Sequence, residues 1–177
     1  MIDAHFHCWQ LARADYGWLT PELAPIYRDV AVADWQQQAL AWGVNGGVLV
    51  QAAPTPQETT FLLQQAHDNP CVLGVVGWID MLAPDAVDQV AQCAARPMLK
   101  GLRPMLQDLS DPDWILQPAI QPVLRCVGLF HVGCRLFRKQ TTGTLNLPFY
   151  AAFLTSLNGA TAVASPLGGC MPYCRLD

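Results

Sequence analysis

A chain of 177 residues has room for one domain with a sizeable core, and 52 % hydrophobic content excludes a disordered, solvated polypeptide. A net charge of −4 and a pI near 5.4 leave no electrostatic footprint for nucleic acid or an anionic membrane surface. No run approaches the roughly 18 apolar residues that span a bilayer. Seven cysteines, an odd number without CxxC spacing, read as reduced thiols. The start Met1-Ile2-Asp3-Ala4-His5 shows neither a basic nor an apolar leader pattern. Together these predict a cytoplasmic protein.

In chain order, residues 1–7 read as a first strand ending in Asp3-Ala4-His5-Phe6-His7. Residues i and i+2 of a strand share a face, so both imidazoles project together, as half of a zinc site would require. Cys8 beside them reads as a buried, inert thiol rather than a nucleophile or ligand. Residues 8–32 form a loop rich in aromatics and turn formers, and a loop this long is more often functional than ornamental.

Asp34 is expected to cap a helix stopped by Gly43. The β-branched run 47–52 predicts a strand buried on both faces. Thr55-Pro56-Gln57-Glu58 has the form of a capping box with proline at the first helical position, opening a helix that ends before Asn69-Pro70. Residues 71–80 predict a third strand, Pro84 opens a third helix, and 98–103 predict a fourth strand. A fourth helix near Pro118 is disturbed by Pro122, and Gly128-Leu129-Phe130 reads as the entry to a fifth strand.

Strands alternating with helices at this spacing imply parallel βαβ units. Four such units amount to half of a (β/α)8 TIM barrel, which takes about 250 residues; a four- or five-stranded open doubly wound sheet is the alternative that length favours. The first strand–helix junction has no GxGxxG, so dinucleotide binding is not supported.

The pattern breaks after Phe130. Residues 1–130 carry 13 acidic and 6 basic side chains, whereas 131–177 carry 1 acid, the terminal Asp177, and 4 bases. Three of the seven cysteines (Cys134, Cys170, Cys174) fall in this tail. A barrel should continue its charged-helix, apolar-strand alternation. The tail is therefore expected not to be the native continuation, for example through a shifted reading frame near residue 130. The competing reading is a cysteine-rich extension packed on a small α/β domain.

The residues that carry a resemblance are Ile2-Asp3-Ala4-His5-Phe6-His7 with Trp9, Tyr16-Gly17-Trp18-Leu19 leading to Arg28-Asp29, and Gly47-Val48-Leu49-Val50-Gln51-Ala52. Glu58-Thr59, Leu73-Gly74-Val75-Val76-Gly77-Trp78-Ile79-Asp80, Lys100-Gly101-Leu102-Arg103, Gln107-Asp108 and Asp111-Pro112-Asp113-Trp114 extend it. In these blocks the segment 1–130 resembles the amidohydrolase-related family that contains L-fuconolactonase and other sugar-lactone or pyrone-dicarboxylate lactonases. The resemblance implies a distorted TIM barrel hydrolysing a small lactone, with a carboxylate near the last strand assisting water attack. It ends before the strands that would bring that carboxylate and further histidines. His131 at the break and Asp177 at the terminus are poor substitutes, so the general base stays unassigned.

Candidate site residues follow. His5 and His7 are expected to hold a divalent metal, zinc first, or to be a hydrogen-bonded strand-end pair. Lys100 and Arg103 would grip a lactone carbonyl or carboxylate, or else pair with Asp80 or Asp108. Trp18 and Trp78 would wall a sugar ring or simply pack, and Gln51 would bond substrate or cap its loop. His67 suits a helix C-terminus, and Asp108, Asp111 and Asp113 read as a solvated turn. The expected partner is a small lactone, with self-association through exposed sheet edges if only half a barrel forms. A non-catalytic fragment is the alternative function, and a metal-storage module using the tail cysteines is a distant third.

Overall fold

The computed structural model describes residues 1–106, 109–111, 113–129 and 133–134. Five strands, β1 (Ile2–Phe6), β2 (Gly46–Val50), β3 (Val72–Gly77), β4 (Leu99–Leu102) and β5 (Gly133–Cys134), form one parallel sheet in the order β1-β2-β3-β4-β5. Between them run α1 (Val32–Ala41), α2 (Pro56–Asp68), α3 (Ala86–Ala94) and α4 (Gln121–Leu129). Strand order that follows chain order decides between the two expected architectures. A doubly wound sheet reverses direction at a switch point, whereas a barrel adds each strand beside the last. The four βα units make the near half of a barrel.

The core lies between sheet and helices. Leu49, Val75, Leu99 and Leu102 from the strands meet Leu62 and Ala66 of α2, Val90 and Cys93 of α3, and Val123 and Val127 of α4. Two glycines allow close approach between the strands and the helix layer. A Cβ on Gly47 would stand 2.7 Å from the Trp35 ring and 2.9 Å from Phe6, and one on Gly77 would stand 2.7 Å from Thr59. The strand face turned away from the helices is less covered, with Leu73 45 % exposed and Lys100 exposed.

Helix ends follow local chemistry, with three departures from the sequence reading. Gly43, at φ +69°, stops α1 as expected. But α1 starts two residues before Asp34, whose carboxylate reaches back from the third helical position to accept the Ala31 N–H at 2.8 Å. At α2, Thr55 accepts the Glu58 N–H with Pro56 next in line, yet the Glu58 side chain does not return the bond and turns inward. Gly128 and Leu129 belong to α4, not to a strand. Buried Ile120, Val123 and Val127 repeat at helical spacing there, and Pro122 sits in the first turn, where its missing N–H costs nothing. The break at residue 130 and the tail beyond it lie outside the described residues, apart from the two-residue β5.

Candidate active site

The C-terminal strand ends, where (β/α)8 active sites sit, carry most of the candidate side chains. His5 lies on β1 and His7 just past it, both half-buried. Asp3 sets this strand end: its carboxylate accepts the His5 N–H at 2.9 Å and the Trp35 indole N–H at 2.8 Å. The two imidazoles meet edge to face at 4.7 Å, their Nε2 atoms 2.9 Å apart. His7 Nδ1 lies 2.8 Å from the Val50 carbonyl at the end of β2. A carbonyl oxygen only accepts, so Nδ1 carries the proton. In the neutral pair His7 Nε2 is then the acceptor and His5 Nε2–H the donor.

The same arrangement suits two ligands of one metal ion. Both Nε2 atoms converge, and a ligand imidazole whose other nitrogen donates to a backbone carbonyl is the usual supporting geometry. No group of three or more His, Cys, Asp or Glu side chains able to hold a metal occurs among the described residues. The pair therefore fits part of a zinc coordination sphere.

Gln51 and Arg103, just past β2 and β4, clasp each other. Gln51 Nε2 donates to the Arg103 carbonyl at 2.7 Å, and Arg103 Nη1 donates to the Gln51 carbonyl at 3.1 Å. Both side chains are buried, and the clasp spans the intervening end of β3. Lys100 sits apart from them, exposed within β4 on the inner strand face, its stem lying over Gly74, and it makes no ion pair with Asp80. Asp108 lies outside the described residues.

Trp18 donates its indole N–H to the Ala52 carbonyl at 2.7 Å and meets Trp9 edge to face at 5.6 Å. Trp78 is placed differently. Its backbone N–H donates to Thr59 Oγ1 and its carbonyl accepts from the same hydroxyl, both at 2.8 Å. Its ring lines an apolar cleft of about 80 Å³ with Pro54, Met81, Met105 and Trp114. The structure thus brings together the two histidines, and separately Gln51 with Arg103, while the two tryptophans occupy different parts of the rim.

Sequence reasoning missed a buried polar knot beneath the long first loop. Glu58, fully buried, accepts the Ala52 N–H at 2.8 Å and the Tyr16 hydroxyl at 2.9 Å, and pairs with Arg13 at 3.1 Å. Arg13 also pairs with Asp15, donates to the Tyr16 oxygen at 3.0 Å and lies over the Phe61 ring at 4.6 Å. Asp15 accepts the Thr55 hydroxyl at 2.7 Å. Burial pushes the Glu58 carboxyl above the usual carboxylate range, although the Ala52, Tyr16 and Arg13 contacts pull it back. Burial, with Glu58 nearby, raises the Tyr16 phenol and lifts the Cys8 thiol to about 12, so Cys8 is no nucleophile at neutral pH. One signal was legible: Glu58 stands four and eight residues before Leu62 and Ala66, a carboxylate on an apolar helical stripe.

Consecutive parallel βα units with an imidazole pair at the end of the first strand have the architecture of half a (β/α)8 barrel, and in this architecture the chain is similar to solved amidohydrolases. Among particular proteins, the chain is 42 % identical over 123 residues to L-fucono-1,5-lactonase of Burkholderia ambifaria, covering 70 % of this chain and 42 % of that protein. It is 34 % identical over 110 residues to L-fucono-1,5-lactonase of Burkholderia multivorans, covering 62 % of this chain and 37 % of that one. The chain therefore spans less than half the length of these curated relatives. Among solved structures, an amidohydrolase from Burkholderia multivorans with bound zinc superposes with a TM-score of 0.69 at 28 % identity, over 75 % of this chain and 47 % of the other. A 2-pyrone-4,6-dicarboxylic acid hydrolase from Acinetobacter baumannii, described as probable, shares the fold at 19 % identity and a TM-score of 0.58, over 89 % of this chain and 66 % of that one. No family model matches the chain.

Proposed function

We propose that the chain carries the near half of a lactone hydrolase site, with a small sugar lactone of the L-fucono-1,5-lactone type as substrate. The observation that carries this reading is the His5–His7 pair with converging Nε2 atoms, set in a segment 42 % identical to a lactonase. His5 and His7 are the ligands, and His7 is oriented by its bond to Val50. Zinc held there supplies Lewis acidity toward the lactone carbonyl oxygen. Trp18 walls the ring, Trp78 lines the neighbouring apolar cleft, Lys100 meets negative charge from the inner strand face, and Gln51 with Arg103 keeps the strand ends in register beneath it. The reduced cysteines, free at Cys8, Cys71, Cys93 and Cys126, fit a cytoplasmic setting, and among the described residues no helix is long and apolar enough to cross a membrane.

The test is hydrolysis of L-fucono-1,5-lactone by the purified chain, with and without added zinc, beside zinc titration by calorimetry. Zinc affinity reduced roughly 100-fold or more in His5→Ala, by loss of a direct ligand, is the expected result, and any hydrolysis above the buffer rate should disappear in the same variant. Zinc binding indifferent to both His5→Ala and His7→Ala overturns the ligand assignment. A second reading, a non-catalytic fragment that associates with another chain, is favoured by coverage of only 42 % of the lactonase and by the exposed inner strand face. Turnover by the isolated chain rules it out.

A further inference from the structure

The 8–31 segment closes on itself at its base and is fastened to the barrel rim around the start of α2 and the residue after β2. At the base, Trp9 and Val30 exchange backbone hydrogen bonds of 2.9 and 3.0 Å. At the rim, the fully buried part of the fastening runs through Glu58. One of its carboxylate oxygens holds the Ala52 N–H just past β2, and the other holds the Tyr16 hydroxyl and Arg13, both in the loop. Ala14, between the two residues that pair through Arg13 and Asp15, is held at φ 55°, a left-handed conformation that a residue with a Cβ adopts only when its surroundings impose it. Two residues beyond Tyr16, Trp18 reaches the Ala52 carbonyl, so Ala52 holds one end of the aromatic turn directly through its C=O and the other, by its N–H, through Glu58.

We propose that Glu58 is a positioning residue that locks the Tyr16–Trp18 turn as a fixed wall over the strand ends, and so sets which ring can lie against the His5–His7 site. Its functional meaning rests on the lactonase reading above; the locking itself does not. A carboxylate suits this post because it accepts from an amide, a phenol and a guanidinium at once. An amide in its place keeps two acceptor positions at most and loses the charge facing Arg13.

The experiment is amide hydrogen exchange on the full chain, comparing wild type, Glu58→Ala, Glu58→Gln and Tyr16→Phe. Amides of residues 10–19 should exchange at least about tenfold faster in Glu58→Ala, less so in Glu58→Gln and Tyr16→Phe, while β2 and β3 amides keep their protection. Unchanged protection of 10–19 overturns the proposal, and so does loosening spread evenly over the sheet, which is the mark of general destabilisation. If Glu58→Ala does not fold, Tyr16→Phe, which removes one hydroxyl and no charge, decides by the same two criteria. Zinc titration of the same wild-type sample reads the site separately. Absence of zinc binding removes the metal reading, while the exchange comparison still decides whether Glu58 is the anchor.

Discussion

At the scale of single residues, the molecule places its ionisable groups where desolvation decides their state. Cys8 is 1 % exposed and its thiol is held near 12. A group whose pKa is raised by folding stabilises fully below its unfolded value, near 9 for this thiol. That contribution is lost as pH climbs through the folded value, because the unfolded chain gives up the proton first. Denaturant melts should therefore show stability falling between pH 9 and 12, with the Cys8 share worth up to about 4 kcal/mol. Tyr16 titrates in the same direction, so Cys8→Ala should flatten the fall without abolishing it. An unchanged slope in that variant would place the alkaline sensitivity elsewhere.

At the scale of elements, each βα unit joins a strand to its helix through a few close contacts. Gly77 ends β3 against Thr59 of α2, whose hydroxyl holds both backbone groups of Trp78. Gly77→Ala should cost about 1–3 kcal/mol by pushing that hydroxyl away. Leu62→Ala, emptying a fully buried position in the same helix, should cost about 2–5 kcal/mol. Thermal melts check both. What was legible in the sequence, and what was not, also divides at this scale. Alternating apolar runs and Pro or Gly punctuation located four strands and three helices, because those signals are local. The His5–His7 face followed from strand alternation alone. The Glu58 knot did not, since its partners Arg13, Asp15 and Tyr16 lie more than 40 residues away in a loop without periodicity. Likewise Gln51 and Arg103 looked like ligand-binding groups, because nothing local shows that two polar residues 52 positions apart will bond each other. Residues 128–129 were misassigned for the opposite reason: a short apolar run suits helix and strand equally.

At the scale of the whole molecule, the outer side of β1, unpaired among the described residues, and the exposed residues of the inner strand face set the behaviour to expect in solution. Met1 and Ile2 are 47 % and 43 % exposed at that edge, with Leu73 on the inner face. An unpaired parallel edge with apolar neighbours recruits further strands. Sedimentation should show association that grows with protein concentration, and a charge placed on the inner face, Leu73→Lys, should weaken it; a strictly monomeric chain at high concentration would contradict this. The acid-free stretch from Trp114 to Leu176 bears on the same point. We propose that its coding frame has shifted near residue 130. Translation of the alternative frames should restore alternating charged and apolar segments, and two frames without them would refute the shift.

Consecutive strand order has a consequence for how the chain acquires its shape. Every neighbour in the described sheet is also the next strand in synthesis, so each unit emerging from the ribosome finds its pairing partner already made. Pairing of each strand with its immediate predecessor favours stepwise growth from the N-terminus. β1 and β2, with the histidine pair tied to Val50, can therefore be assembled long before the last residue is made.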